Sequence, residues 1–341
     1  MAFTTINKGS DHFNTKLYTG TGSSNALTGV GFQPDWVWIK GRSDAPDHFL
    51  FDSVRGVTNS IRSNTLSATY TEAQLLTAFG ADGFTVGTNT NVNASSQTFA
   101  SWNWKMGTTS GISAGSQTIT PSSYSINATA GMGIYKWSRT GASTTDYFSH
   151  GLGVTPQLAI QKRTDGSQDW YVNTTVIDGT NDNLHLNKTD AKEDDSTTVP
   201  TSTNYYPKSP ETGDYITYLF VPIQGFSNFG IYKGNGNTDG AFAYTGFKPA
   251  FVMLKYADPG GGVGNWGIHD GVRDVDNPVQ KGLIANSSAA EDTHDFMDML
   301  SNGFKLRSTS SNRNELNSTY VYMAFAENPL VGTNNIPTTA R

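Results

Sequence analysis

Gly31-Phe32-Gln33-Pro34-Asp35-Trp36-Val37-Trp38-Ile39-Lys40 decides how this chain folds, because the pattern returns twice. The second copy is Gly153-Val154-Thr155-Pro156-Gln157-Leu158-Ala159-Ile160-Gln161-Lys162, and the third is Gly246-Phe247-Lys248-Pro249-Ala250-Phe251-Val252-Met253-Leu254-Lys255. All three share G-x-x-P-x5-K around an apolar stretch. Proline suits the entry to a strand, where its missing N–H does no harm to the ladder. The positions two and four past it are apolar in every copy, and the alternate positions nearly so, which predicts a central strand buried on both faces. Trp36 and Trp38 are therefore core rather than a sugar-stacking platform. The lysine is expected at the strand exit, as a charge at the solvent edge.

The flanks repeat as well. Leu17-Tyr18-Thr19-Gly20, Ile134-Tyr135-Lys136-Trp137 and Ile231-Tyr232-Lys233-Gly234 precede the three copies. Phe99-Ala100-Ser101-Trp102-Asn103-Trp104, Tyr215-Ile216-Thr217-Tyr218-Leu219-Phe220 and Tyr320-Val321-Tyr322-Met323-Ala324-Phe325 close them, each with an aromatic first and sixth. These read as strands, and turn signals such as Asp82-Gly83, Asn235-Gly236 and Asn302-Gly303 separate them. The expected fold is all-β with minor α, built as three tandem β-sandwich or jelly-roll-like repeat units, each with its own small aromatic core.

The expected organisation is an N-terminal arm over 1–11, a first unit over 12–107, a linker over 108–125, a divergent second unit over 126–223, a third unit over 224–331 and a C-terminal tail over 332–341. The linker is small, polar and without periodicity, as flexible connectors are. Pro222-Ile223-Gln224-Gly225 leaves no room for another, so the second and third units should form a rigid pair. Thr71-Glu72-Ala73-Gln74 and Ser288-Ala289-Ala290-Glu291 match the capping box and predict one short helix in each outer unit.

Composition narrows the function. The formal charge of -6 argues against a nucleic-acid partner, which needs a basic stripe. The start, MAFTTINKGSDHF, lacks the apolar stretch of a signal peptide, and no apolar run approaches a membrane span. The expectation is a protein made in a cytoplasm, without membrane insertion. Zero cysteines exclude disulfides, thiolate metal sites and cysteine nucleophiles.

Candidate site residues are few. Asp52-Ser53-Val54-Arg55 and Asp270-Gly271-Val272-Arg273 share a motif missing from the second unit. An Asp and an Arg three apart can form a structural ion pair, Asp52 with Arg55 and Asp270 with Arg273, or the Arg could grip a carboxylate or acidic sugar. His269-Asp270 and Glu291-Asp292-Thr293-His294-Asp295 hold metal-ligating atom types without zinc or calcium spacing. Trp170, Asp169, Trp266 and Asn265 are the candidate glycan contacts, although the two tryptophans fall at comparable distances past Lys162 and Lys255, which also suits a core role. No catalytic residue, cofactor site or metal site is assigned, since no nucleophile elbow, phosphate loop or H-E-x-x-H motif occurs.

These recurring residues, from Leu17-Tyr18-Thr19-Gly20 through Phe51-Asp52-Ser53-Val54-Arg55-Gly56 to Trp102-Asn103-Trp104-Lys105, and the closing Asn302-Gly303-Phe304 and Phe325-Ala326-Glu327-Asn328-Pro329, resemble a repeated domain of virion proteins of tailed, especially marine, bacteriophages. The resemblance implies a non-enzymatic virion structural protein, displayed as a tail fibre or adhesin component or as a capsid decoration. Its expected partners are other virion proteins and copies of itself, as a trimer. A lectin-like receptor-binding module for host surface polysaccharide is the second expectation. A capsule-degrading glycoside hydrolase or lyase is the third.

Overall fold

The computed structural model describes residues 4–112, 117–141, 145–208, 211–258 and 264–331. The expected C-terminal tail lies outside the described residues. The fold is all-β with minor α: three large antiparallel sheets, small accessory sheets and two single-turn α-helices. No helix among the described residues is long and apolar enough to cross a membrane.

Each large sheet contains the same five-strand order. In the first, the entry strand Phe13–Thr19 pairs with the closing strand Thr98–Trp104, which pairs with the proline strand Trp36–Gly41, followed by Phe49–Asp52 and Asn59–Arg62. The second runs Met132–Arg139, Gly213–Phe220, Leu158–Arg163, Tyr171–Thr174, Asp182–His185. The third runs Ser227–Lys233, Thr319–Pro329, Phe247–Tyr256, Gly267–Asp270, Val279–Ile284. The segment closing each stretch thus inserts between its entry and proline strands.

Alternation along the proline strand explains why it is apolar throughout. Trp36 and Trp38 point into a core shared by all three sheets, while Val37 and Ile39 point into a smaller core under the accessory strands of the first unit. In the shared core, the Trp36 ring stacks on Trp104 at 4.2 Å and on Tyr218 of the second unit at 4.5 Å. Trp104 meets Phe251 of the third unit at 5.8 Å, and Phe220 of the second meets Phe325 of the third at 6.0 Å. The expectation of three separate small cores is corrected here: one aromatic core joins the sheets, and satellites lie outside it in the first and second units.

Several other expectations change. The linker is not a free tether where it is described: Thr108 pairs with Ile126, Ile119 is buried in the second unit, and Ser123–Asn127 forms an edge strand of the second sheet. Residues 113–116 of the linker lie outside the described residues. In the arm, Ile6 enters the shared core and Thr4 Oγ1 donates to Gln224 O.

Neither capping-box segment is helical. Glu291 spends its carboxylate on Arg42 and Arg273 instead of reaching back to Ser288, and Glu72 accepts from the Gln74 N–H in a turn. The helices are α1 (Thr90–Asn93), capped by Asn89, and α2 (Ser311–Asn314), capped by Ser310.

Lys40, Lys162 and Lys255 are fully buried rather than at a solvent edge. Lys162 Nζ donates to Leu66 O of the first unit and Lys255 Nζ to Thr189 O and Asp190 O of the second, so these two lysines satisfy carbonyls across a junction, while Lys40 Nζ donates to Gly41 O of its own strand. Burial pushes all three down to about 8 from 10.5. Between those values the unfolded chain holds more protons, so folding stability rises with pH. The buried hydroxyls of Tyr18, Tyr135, Tyr218 and Tyr232, held well above 10.0, act oppositely at higher pH. Thermal melting followed by circular dichroism should show a melting temperature that climbs from pH 8 to about 10 and falls beyond; a decline between pH 8 and 10 would contradict the lysine account.

Candidate functional site

The residues singled out from sequence divide into junction residues and pocket residues. Trp170 and Trp266 are 0% and 1% exposed, so neither ring is open to a saccharide, and the glycan-contact expectation is corrected for both. The Trp170 indole N–H donates to Arg62 O of the first unit at 2.9 Å, and that of Trp266 to His185 O of the second at 2.8 Å. Each acceptor ends the fifth strand of the shared order. The third junction uses a residue that sequence reading missed. His48 lies eight residues past Lys40, as Trp170 lies eight past Lys162, and its Nε2 bonds to Ile284 O, the end of the fifth strand of the third sheet, at 2.9 Å. Trp38 Nε1 donates to His48 Nδ1, so Nε2 carries the hydrogen, and burial holds this ring neutral. The three contacts run second to first, third to second and first to third: a closed ring.

The Asp-x-x-Arg pairs strengthen two of these junctions. Asp52 binds Arg55 Nε at 2.6 Å and accepts from the Tyr218 hydroxyl of the second unit at 2.7 Å. Asp270 binds Arg273 Nε at 2.5 Å and accepts from the Trp102 indole of the first unit at 2.9 Å. Strand register places Thr174 where those aspartates stand, and Met323 where Tyr218 and Trp102 stand. Acceptor and donor are thus both replaced at the third-to-second junction.

Asp169 is tied to Asn187 Nδ2 at 2.8 Å and to Lys188 Nζ at 2.7 Å. Asp178, Asp182 and Asp194 gather closely enough to resemble a metal cluster, but Lys192 Nζ sits among them at 2.9, 2.6 and 2.9 Å and already supplies the cation.

Asn265, Asp292 and His294 line an open pocket of about 390 Å³ in the third unit, together with Gly267, Asn312 and Arg313. Its origin is visible by comparison with the first unit, where the same place is solid. Register aligns Phe49 with Gly267 and Phe51 with His269. Val92 of α1 aligns with Arg313 of α2: Tyr18 Oη donates to Val92 O and Tyr232 Oη to Arg313 O, each at 2.6 Å. The following residues, Asn93 and Asn314, also make matching amide bonds. Phe49, Phe51 and Val92 fill the first unit's satellite core. Gly267, His269 and Arg313 empty it and make it polar.

Arg313 is 7% exposed, and its buried Nε has no hydrogen-bond partner among the described residues. It lies over the Phe296 ring, 4.1 Å from the centroid. Burial lowers its pKa from the usual arginine value, and the Asp292 charge works the other way. Asp292 Oδ1 is also buried without a hydrogen-bond partner among the described residues. A Cβ on Gly267 would stand 3.2 Å from His269 Nε2 and 3.7 Å from Arg313 Nε, so this glycine keeps the pocket floor open.

The sequence profile of a single domain family matches residues 8–329. The chain belongs to that family, a domain of unknown function (DUF7483). No curated protein and no solved structure matches the sequence. Family membership covers all three large sheets, so the ring of junctions and the third-unit pocket both lie inside the domain.

Proposed function

We propose that this protein is a non-enzymatic virion structural component, displayed outside a bacteriophage particle as a tail fibre or adhesin element or as a capsid decoration. The observation that carries the reading is the closed ring: three sheets with one strand order lock onto one another through buried indoles, an imidazole and ion pairs. Such a body resists deformation without a ligand, and its buried carboxylates Asp52 and Asp270 are committed to arginines. The repeat resemblance supplies the setting. Mass spectrometry of purified particles and immunogold labelling should find the chain on virions; its absence from purified particles would sink the proposal. Assembly with other virion proteins and trimerisation belong to the same reading. The shared core closes within one chain, so a trimer would form on outer faces, and sedimentation as a stable monomer would count against it.

A second reading is favoured by the third-unit pocket: a lectin-like module for host surface polysaccharide. A pocket of this volume is in the range of about 300–1,000 Å³ used for small ligands, and its amide, hydroxyl and imidazole lining suits sugar hydroxyls. A capsule-degrading enzyme is separated from both readings by release of reducing ends from host polysaccharide.

A further inference from the structure

We infer that the third-unit pocket is a site for a carboxylate-bearing saccharide residue, with the Arg313 guanidinium meeting the carboxylate. The inference rests on the polysaccharide-binding reading and gives it a ligand class. The fold does not require arginine here, since Val92 serves at the matching place in the first unit, with the same tyrosine bond to its carbonyl. Burying the Arg313 Nε–H without an acceptor is costly even with the cation against the Phe296 ring, and an acceptor brought by a ligand would remove that cost. Asp292 lines the same pocket, yet its Oδ1 and the Arg313 Nε are both without a hydrogen-bond partner among the described residues. The planar fork of donors matches a carboxylate in two parallel bonds.

The rest of the lining selects among carboxylates. Arg313 covers the Phe296 ring, so the pocket lacks a bare aromatic floor for an aliphatic or aromatic side chain. Asp292 Oδ1 is an unspent acceptor, and Asn312, Asn265 and His294 stand around the same space. That is a setting for a ring bearing several hydroxyls. The pocket is open on one side, which lets a residue within a longer glycan enter.

Calorimetric titration of the full chain with galacturonate, glucuronate and N-acetylneuraminate, beside galactose and sodium acetate, tests this. At least one acidic sugar should bind, and Arg313→Val should weaken it by at least about 30-fold, the equivalent of losing one partner of a buried charge contact. Arg313→Gln repeats the test should the valine variant fail to fold, and Arg313→Lys should recover part of the affinity. Equal binding of galactose and the acidic sugars, unchanged in Arg313→Val, would overturn the anion assignment and leave the polysaccharide reading standing. Acetate binding as tightly as the acidic sugars would overturn the saccharide class. No binding by any acidic sugar would overturn the inference, and no binding by galactose either would overturn the polysaccharide reading with it.

Discussion

Asp52→Ala is expected to destabilise the protein by about 3–5 kcal/mol, the usual cost of breaking a buried ion pair from one side. The substitution strips Arg55 of its carboxylate while its side chain stays 4% exposed, and leaves the buried Tyr218 hydroxyl without its acceptor. Urea unfolding measures it, and a loss under about 1 kcal/mol, the level of an exposed pair, would refute the account. Asp270→Ala should cost less, because Arg273 keeps Glu291 at 3.1 Å. The molecule also provides the control. The third-to-second junction has Thr174 and Ile177 where Asp52 and Arg55 stand, and Met323 where Tyr218 stands. The triple variant Asp52→Thr, Arg55→Ile, Tyr218→Met should therefore recover most of what Asp52→Ala loses, since removing both charges and the tyrosine hydroxyl together leaves no buried charge unpaired.

Trp36→Ala should cost a similar amount, about 3–5 kcal/mol, for a different reason: it empties a site where rings from two units stack. Its distinguishing result is in the shape of the transition. A core shared by all three sheets predicts one calorimetric transition in the wild type and in the variant, shifted to lower temperature. Separate melting of the first unit, with the other two intact, would contradict the shared core. Trp36→Phe should lose less, because the Trp36 indole N–H makes no hydrogen bond among the described residues.

Much of this fold was readable from periodicity. The G-x-x-P-x5-K pattern located three strands buried on both faces, and the all-β class followed from it with the flanking aromatics. What the pattern could not convey was where the second buried face points. Val37 faces its own unit and Trp36 faces the neighbours, yet both are simply apolar in sequence. The lysines misled for the same reason: Lys162 sits where a strand meets solvent in an isolated unit, but Leu66 of the adjacent unit covers it. His48 was hidden by its chemistry, an imidazole serving where the other units use an indole. The pocket was legible only in part. Asn265 and the Asp292–His294 cluster stand out by residue type, whereas Arg313 draws attention only once Val92 is known to be its counterpart.

A Cβ on Gly225 would lie 3.0 Å from Thr4 Cβ and 3.1 Å from Pro329 Cβ, so residues 4 and 329 are side by side. The route from the third unit back to the first is therefore short, and the order in which the chain visits the three sheets is separable from the way they interlock. A circular permutant that joins residues 4 and 329 by a short linker and opens within 113–116 would begin at the second unit and keep every described junction in place. Chain order here records the path taken through the ring and does not determine which sheet grips which.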